Sequence, residues 1–404
     1  MSEQRNIRTL YIEAALFGLY SAIPAAFLSV YALRLGASNQ AIGLLTALPS
    51  LVNVLWLIPS ARLIERQRHI LTPLLVSALL QGSQYAFIAF LPFLPQAFQT
   101  PVLLAIVALG AMPSGVYAVV INTVLAEVVP SPQRVRILGN RSLLLSMCDA
   151  AAVLAGGWFL GLFPLPVNYQ ILFVIVTALA LANVYNLRRL DAPYAPSGGS
   201  ATAGLSLARM REVMARGGEA RPFLRFLIAA FVVLFGGWLP RPLFSVYWVR
   251  SLNASDWWVG MIMASYSLAA MVGYPIWGRI ARGWSSRRLL LVGTLGFVAY
   301  PTLTALAPAT PFLLLASVIG GLMAPPYNLG LLNGLLDFAP GQHRPTYMAM
   351  YAATTSLAAF AGPIVGASLI LPLVGIQAAI MAGAFARFLG FVAVYVLVRK
   401  PGEA

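Results

Sequence analysis

Residues 24–34, PAAFLSVYALR, return 216 positions later as PRPLFSVYWVR, residues 240–250, with five of eleven positions identical. The correspondence continues at an offset of 217, where Ser38, Gly43, Ala47, Ser50, Leu51 and Arg62 fall on Ser255, Gly260, Ala264, Ser267, Leu268 and Arg279 without a gap. At 210, Tyr117, Glu127, Pro130, Arg134 and Ser146 fall on Tyr327, Asp337, Pro340, Arg344 and Ser356. The chain is a tandem duplication, and its apolar runs say of what. Leu71 to Leu91 and Leu289 to Ala307 are apolar on every face, whereas a transmembrane barrel strand alternates polarity over about ten residues. A helical crossing takes about 20 apolar residues, which leaves room in 404 residues for about a dozen. With 60% hydrophobic and 9% charged residues and a mean hydropathy of +0.83, a water-soluble protein, which carries about a quarter charged residues, is excluded.

Twelve crossings are expected, at 10–33, 41–61, 70–92, 102–126, 142–163, 169–187, 226–249, 257–278, 289–307, 312–336, 346–371 and 376–398. The fold class is therefore an all-α membrane protein of two six-helix bundles. Copies six crossings long keep one orientation, so the bundles are expected to be related by a pseudo-two-fold axis along the membrane normal, with the binding site where they meet. The expected domains are 1–187, a linker at 188–225, and 226–404. The linker carries Pro196-Ser-Gly-Gly-Ser200 and then a basic amphipathic segment around Leu205 to Arg216, the pattern of a tether followed by a surface helix.

The net charge of +15 (26 basic, 11 acidic residues) would suggest nucleic acid in a soluble chain. Here 22 of the 26 basic residues fall in connectors on one side of the membrane, against Arg34 and Arg250 on the other and Arg241 and Arg387 inside crossings. By that asymmetry both termini are expected in the cytoplasm, and the charge is assigned to anionic lipid headgroups rather than nucleic acid; the expected location is the plasma (inner) membrane. Trp257 and Trp258 suit the opposite interfacial belt. The single cysteine, Cys148, lies in an apolar run and offers neither a disulfide nor a metal ligand set. His69 and His343 sit in connectors and the sole lysine is Lys400, so no catalytic constellation, metal site or phosphate loop is formed. An enzyme, a cofactor and ATP-driven transport by this chain alone are not expected.

Ionisable groups inside crossings are the functional candidates, because a charge in hydrocarbon costs several kcal/mol unless it faces a cavity or a partner. Arg241 stands in Gly236-Gly-Trp-Leu-Pro240-Arg241-Pro242, where two prolines interrupt crossing seven. A broken helix beside a cation fits a ligand for an anion or polar group; a carbonyl partner or snorkelling is the structural alternative. Asp149, near the middle of crossing five, is the one carboxylate deep in the membrane and a candidate proton carrier; pairing with an arginine of the other half would instead hold it ionised. Glu13, about one turn inside crossing one, is the second coupling candidate, with an interfacial position as the alternative. Arg387 in crossing twelve reads as structural. Glu127 and Asp337 end helices, where the macrodipole disfavours an anion unless Arg134 or Arg344 is near.

These last elements carry a resemblance. Glu127-Val-Val-Pro-Ser-Pro-Gln-Arg134 and Asp337-Phe-Ala-Pro-Gly-Gln-His-Arg344 are similar to the acidic-x-x-Pro-x-x-x-Arg signature of the major facilitator superfamily. Ala61-Arg-Leu-Ile-Glu65-Arg66-Gln-Arg68 resembles that family's Gly-x-Leu-x-Asp-Arg-x-Gly-Arg loop, with Ala, Glu and Arg at three of its positions; the second copy, from Gly278 to Arg288, has Arg282 in place of the acid. Gly362-Pro-Ile-Val-Gly366-Ala is similar to the Gly-Pro-x-x-Gly-Gly element that marks exporters when it stands in crossing five; here crossing five has Ala152-Val-Leu-Ala-Gly156-Gly157 instead. The resemblance implies a cytoplasmic gate formed by Arg62, Glu65, Arg66, Glu127, Arg134, Arg279, Asp337 and Arg344. It also places Tyr20, Tyr117, Asn122, Tyr327, Asn328 and Asn333, with Arg241, on helices that line the substrate path, helix–helix hydrogen bonding being the alternative for each Asn.

The expected function is secondary active transport of a small organic solute by alternating access, in the sense of proton-coupled efflux, by a monomer whose partners are its substrate, protons and membrane lipids. An uncoupled facilitator or importer, and a non-transporting scaffold or receptor on a transporter-like fold, are the alternatives. Apolar, aromatic-rich crossings favour a lipophilic or weakly polar solute over a sugar or polyanion.

Overall fold

The computed structural model describes residues 2–65, 67, 69–129, 133–191, 221–339 and 344–398; the linker segment around Leu205 to Arg216 lies outside them. Among the described residues twelve long helices run in chain order: α1 (Ser2–Arg34), α2 (Asn39–Glu65), α3 (Leu71–Ala89), α4 (Gln96–Val128), α5 (Arg134–Leu160), α6 (Val167–Leu187), α7 (Arg221–Trp238, resuming at Arg241–Val246), α8 (Asp256–Ile280), α9 (Ser286–Ala305), α10 (Phe312–Phe338), α11 (Arg344–Ile364) and α12 (Ile376–Leu397), with a short turn of helix at Leu371–Val374 between the last two. Among the described residues ten are long and apolar enough to cross a bilayer; α2 and α3, at 27 and 19 residues, complete the twelve. Helices satisfy their own backbone groups, which is what a chain this apolar needs in lipid. Large side chains such as Phe87, Phe90 and Leu373 are exposed, as they are where lipid rather than water is the solvent.

Two helices depart from regular α-geometry near their ends. In α7 the break at Leu239–Pro240 is followed by a π-helical stretch, Tyr247–Ser251, and α11 passes into another at Val365–Ile370, just after Pro363. Helix α5 begins at Arg134, eight residues before the expected start of crossing five. Arg141 is therefore two turns inside a helix rather than in a connector.

The chain forms two compact units. Unit 1 holds Met1–Ala37, Leu55–Gly198 and Ala254–Ala264; unit 2 holds Ser38–Val54, Gly199–Asn253 and Ser265–Ala404. Relative to the sequence repeat, the first half of α2 goes with the C-terminal helices and the first half of α8 with the N-terminal ones. The core of unit 1 gathers Leu10, Leu74, Val120, Val124 and Leu187 around Tyr117. That of unit 2 gathers Phe223, Phe226, Val233, Leu335 and Tyr347, with Phe226 stacked on Phe338 at 5.4 Å.

Candidate functional site

In unit 1 the sequence puts a carboxylate, Glu13, on α1 and a guanidinium, Arg141, on α5, and the two helices pack together. Glu13 is fully buried. Arg141 donates to Glu13 Oε2 through Nη2 at 2.6 Å and Nε at 3.1 Å, and the Tyr117 hydroxyl donates to Oε1 at 2.7 Å. Two guanidinium N–H groups converge on Oε2 and the tyrosine hydroxyl takes Oε1, a charge-assisted pair with both carboxylate oxygens occupied. Tyr20, buried, stands beside it with its ring 5.2 Å from Phe17, which in turn stacks on Tyr117 at 5.5 Å. Arg141 is the residue the sequence reading missed; seven residues after the arginine that opens α5, it lies two turns along the same face, a signal that was available once the helix start was placed there.

Asp149 lies two further turns along α5. It is half-buried and makes neither a hydrogen bond nor an ion pair among the described residues, whose three ion pairs are Arg5–Asp191, Arg34–Asp256 and Arg141–Glu13. Of the two membrane carboxylates, then, one is clamped and one is free.

Unit 2 carries the opposite charge. Pro240 has no N–H, so the carbonyl of Gly236, four residues back, loses its helical donor. Arg387 of α12 replaces it: Nε donates to Gly236 O at 3.1 Å, Nη2 to Gly237 O at 3.3 Å and Nη1 to Phe297 O at 2.8 Å. The guanidinium lies 4.4 Å over the Phe297 ring. This is the structural role expected of Arg387, and it holds open the break in α7. Immediately after that break Arg241 is exposed, its guanidinium 4.4 Å from the Trp238 ring centroid. No hydrogen bond or ion pair to it is formed among the described residues. The same unit carries an aromatic cluster that starts one turn after Arg241: Phe244 meets Tyr300 at 4.9 Å, Tyr300 meets Tyr266 at 5.7 Å, and Phe297 stacks on Tyr327 at 4.9 Å.

The remaining path candidates are placed as follows. Tyr327 is buried and its hydroxyl reaches Val233 O at 3.4 Å. Asn328, exposed, donates to the Tyr274 hydroxyl at 3.4 Å. Asn122 is exposed but spends its amide on Ala118 O, one turn back on α4, at 2.7 Å. Asn333 is half-buried on α10. Of the gate residues, Glu127, Asp337 and Arg279 are exposed, and Arg134 donates to Val129 O at 3.3 Å. No ion pair to Glu127 or Asp337 is formed among the described residues. The side chains of Arg62, Glu65, Arg66 and Arg344 lie outside the described residues.

At the turns that join α1 to α2 and α7 to α8, each unit closes on itself in a way that repeats. In unit 1, Arg34 at the end of α1 donates to Ala254 O at 2.9 Å and pairs with Asp256 at 3.4 Å at the start of α8. In unit 2, Arg250 at the end of α7 donates to the Asn39 side chain at the start of α2. Arg34 and Arg250 are repeat partners, and so are Asn39 and Asp256. The packing behind these contacts repeats as well. A Cβ on Gly260 of α8 would meet Val153 O at 3.0 Å and Gly157 Cα at 3.2 Å on α5; one on Gly43 of α2 would meet Pro363 O at 3.1 Å and Ala367 Cβ at 2.7 Å on α11. Gly43 and Gly260, Val153 and Pro363, Gly157 and Ala367 are again repeat partners, so one two-helix contact is built twice. Only glycine lets these backbones approach so closely.

A cavity of about 460 Å³ in unit 1, between α2, α3 and α4, is lined by Trp56, Pro73, Val76, Leu80, Ile106 and Pro113 among others. It is apolar and holds none of the candidate residues.

Residues 226–404 match the family model described as Major Facilitator Superfamily. No curated protein matches the sequence. Among solved structures the fold is similar to that of the nucleoside transporter NupG, with a TM-score of 0.76 at 13% identity over 99% of this chain and 100% of that one. A D-xylose–proton symporter gives 0.73 at 13% identity over 99% of each chain. The human organic anion transporter MFSD10 gives 0.64 at 16% identity, covering 98% of this chain and 100% of that one.

Proposed function

We propose, from the premise that residues 226–404 belong to the major facilitator superfamily and that the whole chain has its fold, that this membrane transport protein moves a small organic solute by alternating access in exchange for protons. Asp149 is the observation that carries the coupling. Glu13 has both oxygens occupied by Arg141 and Tyr117, so a proton binding there must displace a guanidinium. Asp149 has no such competitor among the described residues, and a half-buried carboxylate on a crossing helix is costly to keep charged. It takes and gives up the proton while Glu13 and Arg141 hold α1 to α5. Arg241 and the aromatic cluster of unit 2 take the solute. The repeated contacts at Arg34–Asp256 and Arg250–Asn39 lie at the end of the helices away from the termini, which the charge asymmetry supports as the extracellular end. They close that side while the other opens.

The full chain is reconstituted in proteoliposomes carrying an internal pH indicator, a pH gradient is imposed, and solutes of varied polarity are added. Solute movement against the direction of proton movement, abolished by Asp149→Asn in a folded protein, is expected. Undiminished gradient-driven flux in Asp149→Asn refutes the coupling assignment; solute and protons moving in the same direction refutes exchange; absence of flux across the solute panel refutes transport.

A further inference from the structure

The crossings of the C-terminal half contain no Asp or Glu at all, from Phe226 to Val249 through Ile376 to Val398, yet they contain Arg241 and Arg387. The acids that directly abut these crossings are Asp256, paired with Arg34 in unit 1, and Asp337 at the last turn of α10. Among the described residues, unit 2 thus holds two guanidiniums inside its crossings and no carboxylate there to balance them. Arg387 has its hydrogen bonds met by three carbonyls, but carbonyls supply dipoles rather than a negative charge. Arg241 has not even those. It begins the second part of α7, exposed, with one face against Trp238 and no hydrogen-bond acceptor among the described residues. A cation left this way in hydrocarbon is costly, and the cost is offset when an anion arrives.

The surroundings narrow the anion. A guanidinium presents paired N–H groups that match a carboxylate in a bidentate fork. Trp238, whose ring centroid lies 4.4 Å from the guanidinium, adds flat apolar surface, as does Tyr300, which meets Phe244 one turn after Arg241 at 4.9 Å and Tyr266 at 5.7 Å. Two fixed positive charges, one of them already engaged, suit a monoanion rather than a polyanion. We propose that unit 2 binds an organic monocarboxylate with an aromatic or alicyclic body, Arg241 forking onto the carboxylate and the body lying on the wall of Trp238, Tyr266 and Tyr300. This rests on the transport reading above and names its substrate class.

Isothermal titration of the purified full chain with benzoate, benzamide and benzylammonium, three probes of nearly one shape and three charges, tests it. Benzoate is expected to bind at least about tenfold more tightly than benzamide, the worth of hydrogen bonds to a charged group, and benzylammonium more weakly still. Arg241→Gln is expected to erase the preference of benzoate over benzamide. Arg241→Lys keeps the charge without the fork and guards against a folding defect: it is expected to weaken benzoate while keeping the preference. The proposal is overturned if benzamide or benzylammonium binds as tightly as benzoate, if Arg241→Gln keeps the preference, or if benzoate does not bind saturably. The two readings fail separately. Asp149-dependent exchange of a neutral or cationic solute, with no carboxylate bound, removes the monocarboxylate and leaves the transporter; benzoate binding that depends on Arg241 without any flux does the reverse.

Discussion

Gly43→Ala is the sharpest perturbation the structure offers. The added methyl carbon would sit 2.7 Å from Ala367 Cβ and 3.1 Å from Pro363 O, where carbon–carbon contact is comfortable at about 3.5–4.0 Å. The overlap of about 0.8 Å or more falls on backbone and on a Cβ, neither of which can swing away. Overpacking of this kind costs about 1–3 kcal/mol, and it is felt only while α2 lies against α11. A penalty confined to one state shifts the equilibrium between states by about 5- to 150-fold. The assay is reaction with a membrane-impermeant maleimide of a single cysteine introduced as Phe27→Cys, with Cys148→Ser removing the native thiol. Phe27 is buried beneath the repeat-related contact, its ring 3.5 Å from where a Cβ on Gly157 or Gly260 would stand. If the two copies of the contact part together, labelling of that cysteine rises by the stated factor in Gly43→Ala. Gly278→Ala, where an added Cβ meets nothing within 4 Å, leaves it unchanged. Unaltered labelling in Gly43→Ala, in protein that elutes and unfolds normally, refutes the reasoning, and so does an equal rise in Gly278→Ala.

Arg141→Met strands the buried Glu13 carboxylate and is expected to lower stability by about 3–5 kcal/mol; adding Glu13→Gln recovers most of it, as read by unfolding of the detergent-solubilised chain. Arg387→Met leaves the carbonyls of Gly236, Gly237 and Phe297 without their donor and is expected to cost about 1–3 kcal/mol for each buried group left unpaired, whereas Arg387→Lys recovers only part because an ammonium cannot span all three. Asp256→Asn breaks a partly exposed ion pair worth about 1 kcal/mol or less, so it leaves the melting temperature nearly in place while raising labelling at the Phe27→Cys position. Glu127→Gln, at an exposed site with no ion pair among the described residues, is expected to change stability by no more than about 0.5 kcal/mol; a slower flux at unchanged stability assigns it to the gate, and an unchanged flux removes it.

The helical class and the duplication were legible because bilayer thickness and repeat offsets act on the sequence directly. PAAFLSVYALR and PRPLFSVYWVR need no contacts to be recognised as copies. Helix starts were less visible: α5 begins at Arg134 among polar residues that hydropathy reads as connector, and with that start went the identity of Glu13's partner. Arg387 was read as structural from its place in crossing twelve, but the acceptor that explains it, the carbonyl orphaned by Pro240, is 151 residues away along the chain. The pairing of Arg34 with Asp256 and of Arg250 with Asn39 was out of reach for a different reason. Each joins a residue of one repeat to a residue of the other, and an offset between copies says which positions correspond, not which ones touch.

Alternating access is tested most directly by asking whether the same two positions see water from both sides. Single cysteines introduced as Asp149→Cys and Arg241→Cys, in the Cys148→Ser background and in sealed proteoliposomes of one orientation, are reacted with an impermeant maleimide from either face. Each is expected to be reached from both faces, and Gly43→Ala is expected to raise reaction from one face while lowering it from the other. Reaction from a single face only, or rates from the two faces that rise together, contradicts alternating access.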